Sequence, residues 1–211
     1  MITAIGDVLR EAYKRGWLTT RDGNISVRLG NSLYISPSGV RKVTVIPETV
    51  LKAKIKNYNQ TTLEWLTENV GKPSGELEMH KLLQTVDFSG KSARSVVHLH
   101  PTHIIAAMHR GFSLQELASQ FPEVSRYTRV GPEVPVLPVV SPELAKATFQ
   151  AMTIVDQGGV NEKLAYDIVG QKAHGVCAIG KSPWDAFEHI ERLEHICQIV
   201  LASGVSPNDK D

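Results

Sequence analysis

Apolar residues recur at helical spacing in several stretches of this chain, and most of these stretches begin at a residue that commonly caps helices. The first helix is predicted over residues 3–15, and Gly16 is suited to end it. Its buried face is formed by Ile5, Val8, Leu9, Ala12 and Tyr13. Later helices are predicted after Ser74, from Thr102 to about Gly111, from Ser141 to about Val155, and from Ser182 onward, and residues 114–121 are predicted to be a short helix or turn. The buried stripes of the helices after Ser74 and Ser182 are Met79, Leu82, Leu83 and Val86, and Ala186, Ile190, Leu193, Ile196, Cys197 and Val200.

Alternating apolar and polar residues predict the strands. A hairpin is predicted around Gly30-Asn31, because asparagine beside glycine favours a tight turn between two strands. The predicted strands are residues 25–29, 33–35, 43–46, 94–100 and 173–180, and residues 52–70 are predicted to be strand or loop at the surface. Pro132, Pro135 and Pro138 confine residues 130–140 to an extended segment at a sheet edge.

These elements mix helices and strands without a repeat or a linker, which predicts an α/β fold in one domain over residues 1–202. Residues 203–211 are predicted to be a disordered tail. The pair Gly158-Gly159 is predicted to break the chain after the helix that begins at Ser141.

Composition and charge exclude several classes of function. Hydrophobic residues make up 42% of the chain and charged residues 21%, with a net charge of +1, so no basic field for nucleic acid is expected. No apolar run reaches the roughly 18–20 residues that span a bilayer. Asp7 and Glu11 within the amphipathic start argue against a signal peptide. Cys177 and Cys197 are expected to be buried thiols of a protein in the reducing cytosol.

His98 and His100 are the candidates for chemistry that the pattern itself indicates. Side chains two residues apart on a strand point to the same side, and Pro101 ends the strand because it lacks an N–H group. Two imidazoles placed in this way could bind one metal ion at about 2.0–2.1 Å. The alternative is a pair of histidines held by ordinary hydrogen bonds. His103 is a weaker candidate for a metal ligand than this pair.

A carboxylate and two small-residue loops are further candidates. Glu76 and Glu78 both lie at the start of the predicted helix after Ser74, and periodicity does not choose between them. The segments around Asp22-Gly-Asn24 and Ser36-Pro-Ser-Gly39 could present N–H and hydroxyl groups to an anion, or could be plain turns.

Several motifs, taken together, resemble the class II aldolase/adducin family. The motifs are Asp22-Gly-Asn-Ile-Ser26, Ile35-Ser-Pro-Ser-Gly39, Pro73-Ser-Gly-Glu76, His98-Leu-His100 and Ala173-His174-Gly175, and the resemblance covers about residues 5–202. It implies a three-layer α/β/α fold with a central, mainly antiparallel sheet. It also implies a homotetramer with the active site between subunits.

The resemblance further implies roles for particular residues. His98, His100 and His174 match the zinc ligands, although other divalent transition metals suit the same donors. Glu76 matches the acid/base, and Tyr127 matches a tyrosine contributed by the neighbouring subunit. The residues matching the substrate phosphate site are Asn24, Ser38, Gly39, Ser74 and Gly75. Ser38 replaces a common threonine, and Gly75 replaces a serine or lysine, which removes a donor from that site.

The expected activity is a zinc-dependent, cytoplasmic aldolase that cleaves a ketose phosphate of the fuculose-1-phosphate type. Its products would be dihydroxyacetone phosphate and an aldehyde, formed by way of a metal-stabilised enediolate. The alternatives are a methylthioribulose-1-phosphate dehydratase, a 3-oxo-acid phosphate decarboxylase or a 4-epimerase that uses the same site. A non-catalytic, adducin-like module is a further alternative, which the retained histidines and Glu76 disfavour.

Overall fold

The structure, a computed structural model, describes residues 1–57, 62–65, 71–85, 95–155 and 162–207. The helices in these residues are α1 (Ile2–Lys14), α2 (Leu77–Thr85), α3 (Thr102–His109), α4 (Leu114–Gln120), α5 (Pro122–Tyr127), α6 (Pro142–Met152) and α7 (Pro183–Ser203). The strands are β1 (Asn24–Leu29), β2 (Ser32–Ile35), β3 (Leu51–Asn57), β4 (Thr62–Trp65), β5 (Ser95–Leu99), β6 (Thr153–Val155), β7 (Glu162–Leu164), β8 (Ile168–Gln171) and β9 (Gly175–Gly180). Short 3-10 helices cover Lys42–Thr44 and Pro47–Thr49.

The central sheet has seven strands in the order β4-β3-β2-β1-β5-β9-β8, and all neighbouring pairs are antiparallel. β5 lies near the middle, with Asn24 of β1 opposite His98 on one side and Cys177 of β9 opposite His98 on the other. β6 and β7 form a separate two-stranded sheet. His98, one of the predicted metal ligands, therefore lies near the middle of the sheet.

Helices cover both faces of this sheet, so the three-layer α/β/α architecture is confirmed. On one face, Val97 and Leu99 of β5 pack in a core with residues of α1, α3, α4, α5 and α7. On the other face, Val96 packs with residues of α2 and α6, including Met79 and Phe149. Alternation along β5 thus divides its side chains between two cores.

Most predicted elements are confirmed. Gly16 and Gly30 adopt positive φ angles of 72° and 56° after α1 and within the β1–β2 hairpin. Val130 and Val134 form parallel bridges to β8, which confirms an extended edge segment. Cys177 and Cys197 are buried and free of a disulfide. No helix in the described part of the chain is both long enough and apolar enough to cross a bilayer.

Some predictions differ from the structure. The strand predicted at residues 43–46 is wrong, because Lys42–Thr44 forms a 3-10 helix that packs against α1. α5 was not predicted, and α6 ends at Met152 because Thr153 begins β6. The predictions for Val86, Arg94, Gly158-Gly159 and residues 208–211, together with much of the 52–70 segment, lie outside the described residues.

Candidate active site

His98 and His100 meet at the end of β5, as predicted. His98 is 1% exposed, and its Nε2 atom lies 2.9 Å from Nε2 of His100. The backbone N–H of His100 has left the sheet and donates to the carbonyl of Trp17 at 2.7 Å. Pro101 follows directly, so the pair sits where the strand ladder stops.

His174 joins this pair from the turn between β8 and β9. Its backbone N–H donates to the carbonyl of Gln171 at 3.0 Å, and the preceding Ala173 has a positive φ of 57°. The His174 ring centroid lies 4.7 Å from that of His98 and 5.1 Å from that of His100. One ring nitrogen from each histidine lies within 4.8 Å of the others, so the three predicted ligands form one cluster.

Gly175 is needed for this cluster, and its role was not predicted. A Cβ atom at position 175 would lie 2.4 Å from the Leu99 carbonyl oxygen and 2.7 Å from Cδ2 of His100. A larger residue would therefore push β9 away from the end of β5. The sequence offered one signal, because this glycine directly follows His174.

The chemistry of the three histidines fits a divalent transition metal. The Nδ1–H of His98 donates to the Val176 carbonyl at 2.9 Å, which leaves its Nε2 without a proton and free to coordinate. Burial and the neighbouring imidazoles lower the pKa of His100 to about 3, and burial also lowers the pKa of His174. The rings of His100 and His174 are therefore neutral near pH 7, as coordination requires. Buried Nδ1 of His174 has no hydrogen-bond partner among the described residues, and such an unpaired buried nitrogen fits a group that binds a further ligand.

Glu76 is the carboxylate that faces the histidines. Its Oε2 atom lies 3.3 Å from Nε2 of His98, and its Oε1 atom lies 3.8 Å from Nε2 of His174. Glu78 is instead paired with Lys81 at the surface, which resolves the choice that periodicity left open. Burial acts to raise the pKa of Glu76, but His98 and the hydrogen bond from Asn24 outweigh it and lower the pKa. Glu76 is thus a carboxylate near neutral pH.

A buried chain of hydrogen bonds holds Glu76 from behind. Asn24 Nδ2 donates to Oε2 of Glu76 at 2.8 Å, and Asn24 Oδ1 accepts from Nε2 of His80. Nδ1 of His80 therefore accepts from the Ser26 hydroxyl at 2.7 Å, and that hydroxyl accepts from Gln84 Nε2 at 3.0 Å. Every donor in this chain points toward Glu76, so the chain favours its ionised form. Sequence patterning did not indicate His80, since it lies within a helical stripe.

The loop of residues 36–39 lies beside the segment that leads to Ser74, at the edge of the cleft. The backbone N–H of Ser38 donates to the Lys72 carbonyl at 2.8 Å, and Pro37 pairs with Pro73. Asn24, Ser38, Ser74 and Gly75 line a cleft of about 360 Å³, whose walls also include Glu76 and the histidine cluster. Gly39 is exposed beside this cleft and does not line it.

Lys42 also lines the cleft, although no sequence pattern predicted it. The residue is only 2% exposed, and its Nζ donates to the Pro37 carbonyl at 3.0 Å. A regular strand at this point would place alternate side chains on opposite faces, whereas the 3-10 turn directs Lys42 inward.

Tyr127 is the predicted site residue that the structure does not bring to the cluster. It ends α5, which packs in the helical layer on the side of the sheet opposite α2. Its side chain is 53% exposed and lies beneath the guanidinium groups of Arg126 and Arg192. Within one chain, Tyr127 therefore has no access to Glu76.

Comparisons with known proteins agree with this geometry. A family model described as "Class II Aldolase and Adducin N-terminal domain" matches residues 3–201. A protein named L-fuculose phosphate aldolase from Methanococcus maripaludis is 28% identical over 201 residues, covering 94% of both chains. A methylthioribulose-1-phosphate dehydratase from Bradyrhizobium sp. is also 28% identical, covering 95% of this chain and 91% of the relative.

The fold is likewise shared with solved structures. A sugar-phosphate aldolase from Thermotoga maritima superposes with a TM-score of 0.76 at 23% identity, covering 99% of this chain and 97% of the other. The fold and the family model together define an α/β/α protein of the class II aldolase type. The chain belongs to the class II aldolase and adducin family, and it is an enzyme of that superfamily.

Proposed function

We propose that this protein is a metal-dependent aldolase that cleaves a ketose phosphate of the fuculose-1-phosphate type to dihydroxyacetone phosphate and an aldehyde. The position of the Glu76 carboxylate carries this proposal. It faces His98 at 3.3 Å and borders the cleft that the hydroxyl-bearing loops enclose. Similarity to the fuculose phosphate aldolase of M. maripaludis over nearly the whole chain supports it.

His98, His100 and His174 would hold the metal, and we propose zinc. Manganese, iron and cobalt as divalent ions suit the same nitrogen donors. When bound, the metal would act as a Lewis acid that polarises the substrate carbonyl. Neutral imidazoles leave the positive charge of such an ion uncompensated, so the site would favour an anionic substrate.

Glu76 is proposed as the acid/base. Its Oε2 atom is held by Asn24, whereas its buried Oε1 atom has no hydrogen-bond partner among the described residues. Oε1 is therefore the atom free to take a proton from the substrate and to return it. The lowered pKa of Glu76 places it in the base form before substrate binds.

Asn24, Ser38, Gly39, Ser74 and Gly75 are proposed to bind the substrate phosphate. The hydroxyls of Ser38 and Ser74 and the backbone N–H groups of their loops are suitable donors for phosphate oxygens. We also propose a cytoplasmic homotetramer whose active site lies between subunits, with Tyr127 assisting the proton transfer from the neighbouring subunit.

A dehydratase acting on methylthioribulose 1-phosphate is the second candidate. The observation that favours it is the similarity to the Bradyrhizobium protein. This chain is 28% identical to that protein and 28% identical to the M. maripaludis aldolase. Both reactions require a base beside a polarised carbonyl, so Glu76 and the histidines would serve either one. A decarboxylase or a 4-epimerase could use the same residues.

Product analysis on one enzyme preparation separates these candidates. Metal-loaded protein is incubated with L-fuculose 1-phosphate and, separately, with methylthioribulose 1-phosphate. Dihydroxyacetone phosphate is measured by a coupled reductase assay, and loss of water is measured by mass spectrometry. The proposal expects dihydroxyacetone phosphate from the first substrate, and Glu76→Gln should reduce its formation by about a hundredfold or more. Dehydrated product from the second substrate alone would overturn it in favour of the dehydratase.

A further inference from the structure

Lys42 is a buried cation at the wall of the cleft. Lysine is almost never fully buried unless its charge is paired, because removing an ammonium group from water is costly. Lys42 is only 2% exposed, yet the one hydrogen-bond acceptor of its Nζ among the described residues is the neutral Pro37 carbonyl. An ammonium group has three N–H donors, so two remain for another partner.

The position of Lys42 is fixed by the loops that form the cleft. Its backbone N–H donates to the Thr20 carbonyl at 2.8 Å, which attaches it to the segment before β1. Its Nζ is attached to the loop of residues 36–39 through Pro37, and Ser38 attaches that loop to Lys72. The ammonium group therefore lies where the loops that carry Ser38 and Ser74 come together.

No carboxylate among the described residues lies within ion-pair distance of Lys42. Burial has the largest effect on the pKa of Lys42 and lowers it. Asp22 and Glu76 act over a longer distance, and each raises the pKa of Lys42 by a smaller amount. Asp22 instead accepts a hydrogen bond from the Thr19 hydroxyl. Lys42 thus has no carboxylate in direct contact among the described residues, although Asp22 and Glu76 line the same cleft.

Gly75 leaves the loop of Ser74 without a second side-chain hydrogen-bond donor. A Cβ atom at position 75 would lie 2.8 Å from Cγ1 of Val140, so a serine or lysine at this position would require the Val140 side chain to shift. The loop of Ser74 consequently lacks a donor that a larger residue would provide. Lys42 reaches the same cleft from a different part of the chain.

We propose that Lys42 is the cationic residue of the substrate-binding cleft and that its ammonium group binds a phosphate group together with the hydroxyls of Ser38 and Ser74. The two remaining N–H donors and two hydroxyls suit a tetrahedral oxyanion better than a carboxylate, which has only two oxygens. This inference rests on the proposed function, since the phosphate would be that of the sugar substrate.

Binding of inorganic phosphate tests the inference without any turnover. Isothermal titration calorimetry at constant ionic strength is performed on the metal-loaded wild type, on Lys42→Met and on Arg21→Met. Arg21 is the matched control, because it lines the same cleft with the same charge but is exposed. Lys42→Met should weaken phosphate binding at least tenfold, and Arg21→Met should weaken it less than threefold. Equal effects of the two variants, or an unchanged affinity of Lys42→Met, would overturn the inference.

A second measurement covers the case in which Lys42→Met does not fold. The side-chain ammonium resonances of ¹⁵N-lysine-labelled wild type are followed during phosphate titration, and the Lys42 resonance is assigned from its loss in Lys42→Arg. The inference expects that resonance to shift with the same affinity that calorimetry gives, and an unmoved resonance contradicts it. Phosphate binding through Lys42 without turnover of any sugar phosphate would leave the inference standing and reject the proposed activity.

Discussion

His80 is fully buried, and both of its ring nitrogens have hydrogen-bond partners in the series of hydrogen bonds that leads to Glu76. Burial lowers its pKa from an ordinary value near 6.5 to about 3. The neutral ring is what allows Nε2 to donate toward Asn24 while Nδ1 accepts from Ser26. A single buried imidazole thus sets the direction of the hydrogen bonds behind the proposed acid/base.

The lowered pKa of His80 predicts a stability that falls in acid. Between pH 7 and pH 5 the unfolded chain takes up a proton at this residue that the folded chain does not, so folding loses about 2 kcal/mol over this window. The contribution is fully present above pH 6.5 and is lost as the pH falls toward 3. Between pH 7 and pH 5, the free energy of unfolding of His80→Gln should therefore decrease by about 2 kcal/mol less than that of the wild type.

Urea unfolding at pH 7 and pH 5 measures this difference. His109→Gln is the control, since His109 is an exposed histidine in α3. It should retain the fall seen in the wild type. If His80→Gln and the wild type lose the same free energy between these pH values, His80 does not stay neutral in the folded protein.

Among the secondary-structure elements, α3 and α7 are joined by one buried carboxylate. Glu194 of α7 is 4% exposed, and it accepts hydrogen bonds from the backbone N–H groups of His103 and Ile104 at 3.0 and 2.8 Å. These N–H groups lie in the first turn of α3 and have no partner within the helix. Glu194 also accepts from Nδ1 of His103. It therefore caps α3 from a neighbouring helix.

Glu194→Ala is predicted to lower the free energy of unfolding by about 2 kcal/mol, because it leaves the buried N–H of Ile104 and the partly buried N–H of His103 without acceptors. For a chain of this size that corresponds to a fall in melting temperature of roughly 4–8 °C. Glu188→Ala is the matched control in the same helix, since Glu188 forms an exposed pair with Arg192. Scanning calorimetry should show little change for the control, and a similarly small change for Glu194→Ala would contradict the capping role.

Local pattern predicted the elements whose form depends on near neighbours in the sequence. The alternation at His98 and His100 indicated a shared face before any tertiary contact was known. The strand prediction for residues 43–46 was wrong because contacts with α1 determine the conformation of this segment. The Val45 carbonyl accepts from Arg10, and it lies 2.2 Å from where a Cβ of Gly6 would stand. No local pattern reveals such a contact, and Lys42 was missed for the same reason.

The choice between Glu76 and Glu78 also depended on tertiary contacts. Both fit the start of α2, and the contacts of Glu76 with His98 and His174, against the pairing of Glu78 with Lys81, distinguish them. His174 belonged to the predicted site through its motif, because no periodicity connects it with β5. Tyr127 remains a prediction, since its proposed contact lies beyond a single chain.

At the scale of the whole molecule, the placement of Tyr127 predicts an active site shared between subunits. Tyr127→Phe and Glu76→Gln should each be nearly inactive as pure proteins. Subunits of the two variants, unfolded and refolded together, would form some sites with Glu76 from one chain and Tyr127 from its neighbour. Random assortment makes roughly a quarter of the sites complete, so activity should recover toward that fraction of wild type. Activity no greater than that of the separate variants would contradict a site that combines Glu76 of one subunit with Tyr127 of its neighbour.

Metal content tests the central claim most directly. Wild type, His100→Ala and Glu76→Gln are incubated with zinc, manganese, iron or cobalt, dialysed, and measured by inductively coupled plasma mass spectrometry. We expect one ion per chain in the wild type and in Glu76→Gln, because the carboxylate is not counted among the ligands, and almost none in His100→Ala. A metal-free wild type, or an ion retained without His100, would contradict a centre formed by His98, His100 and His174.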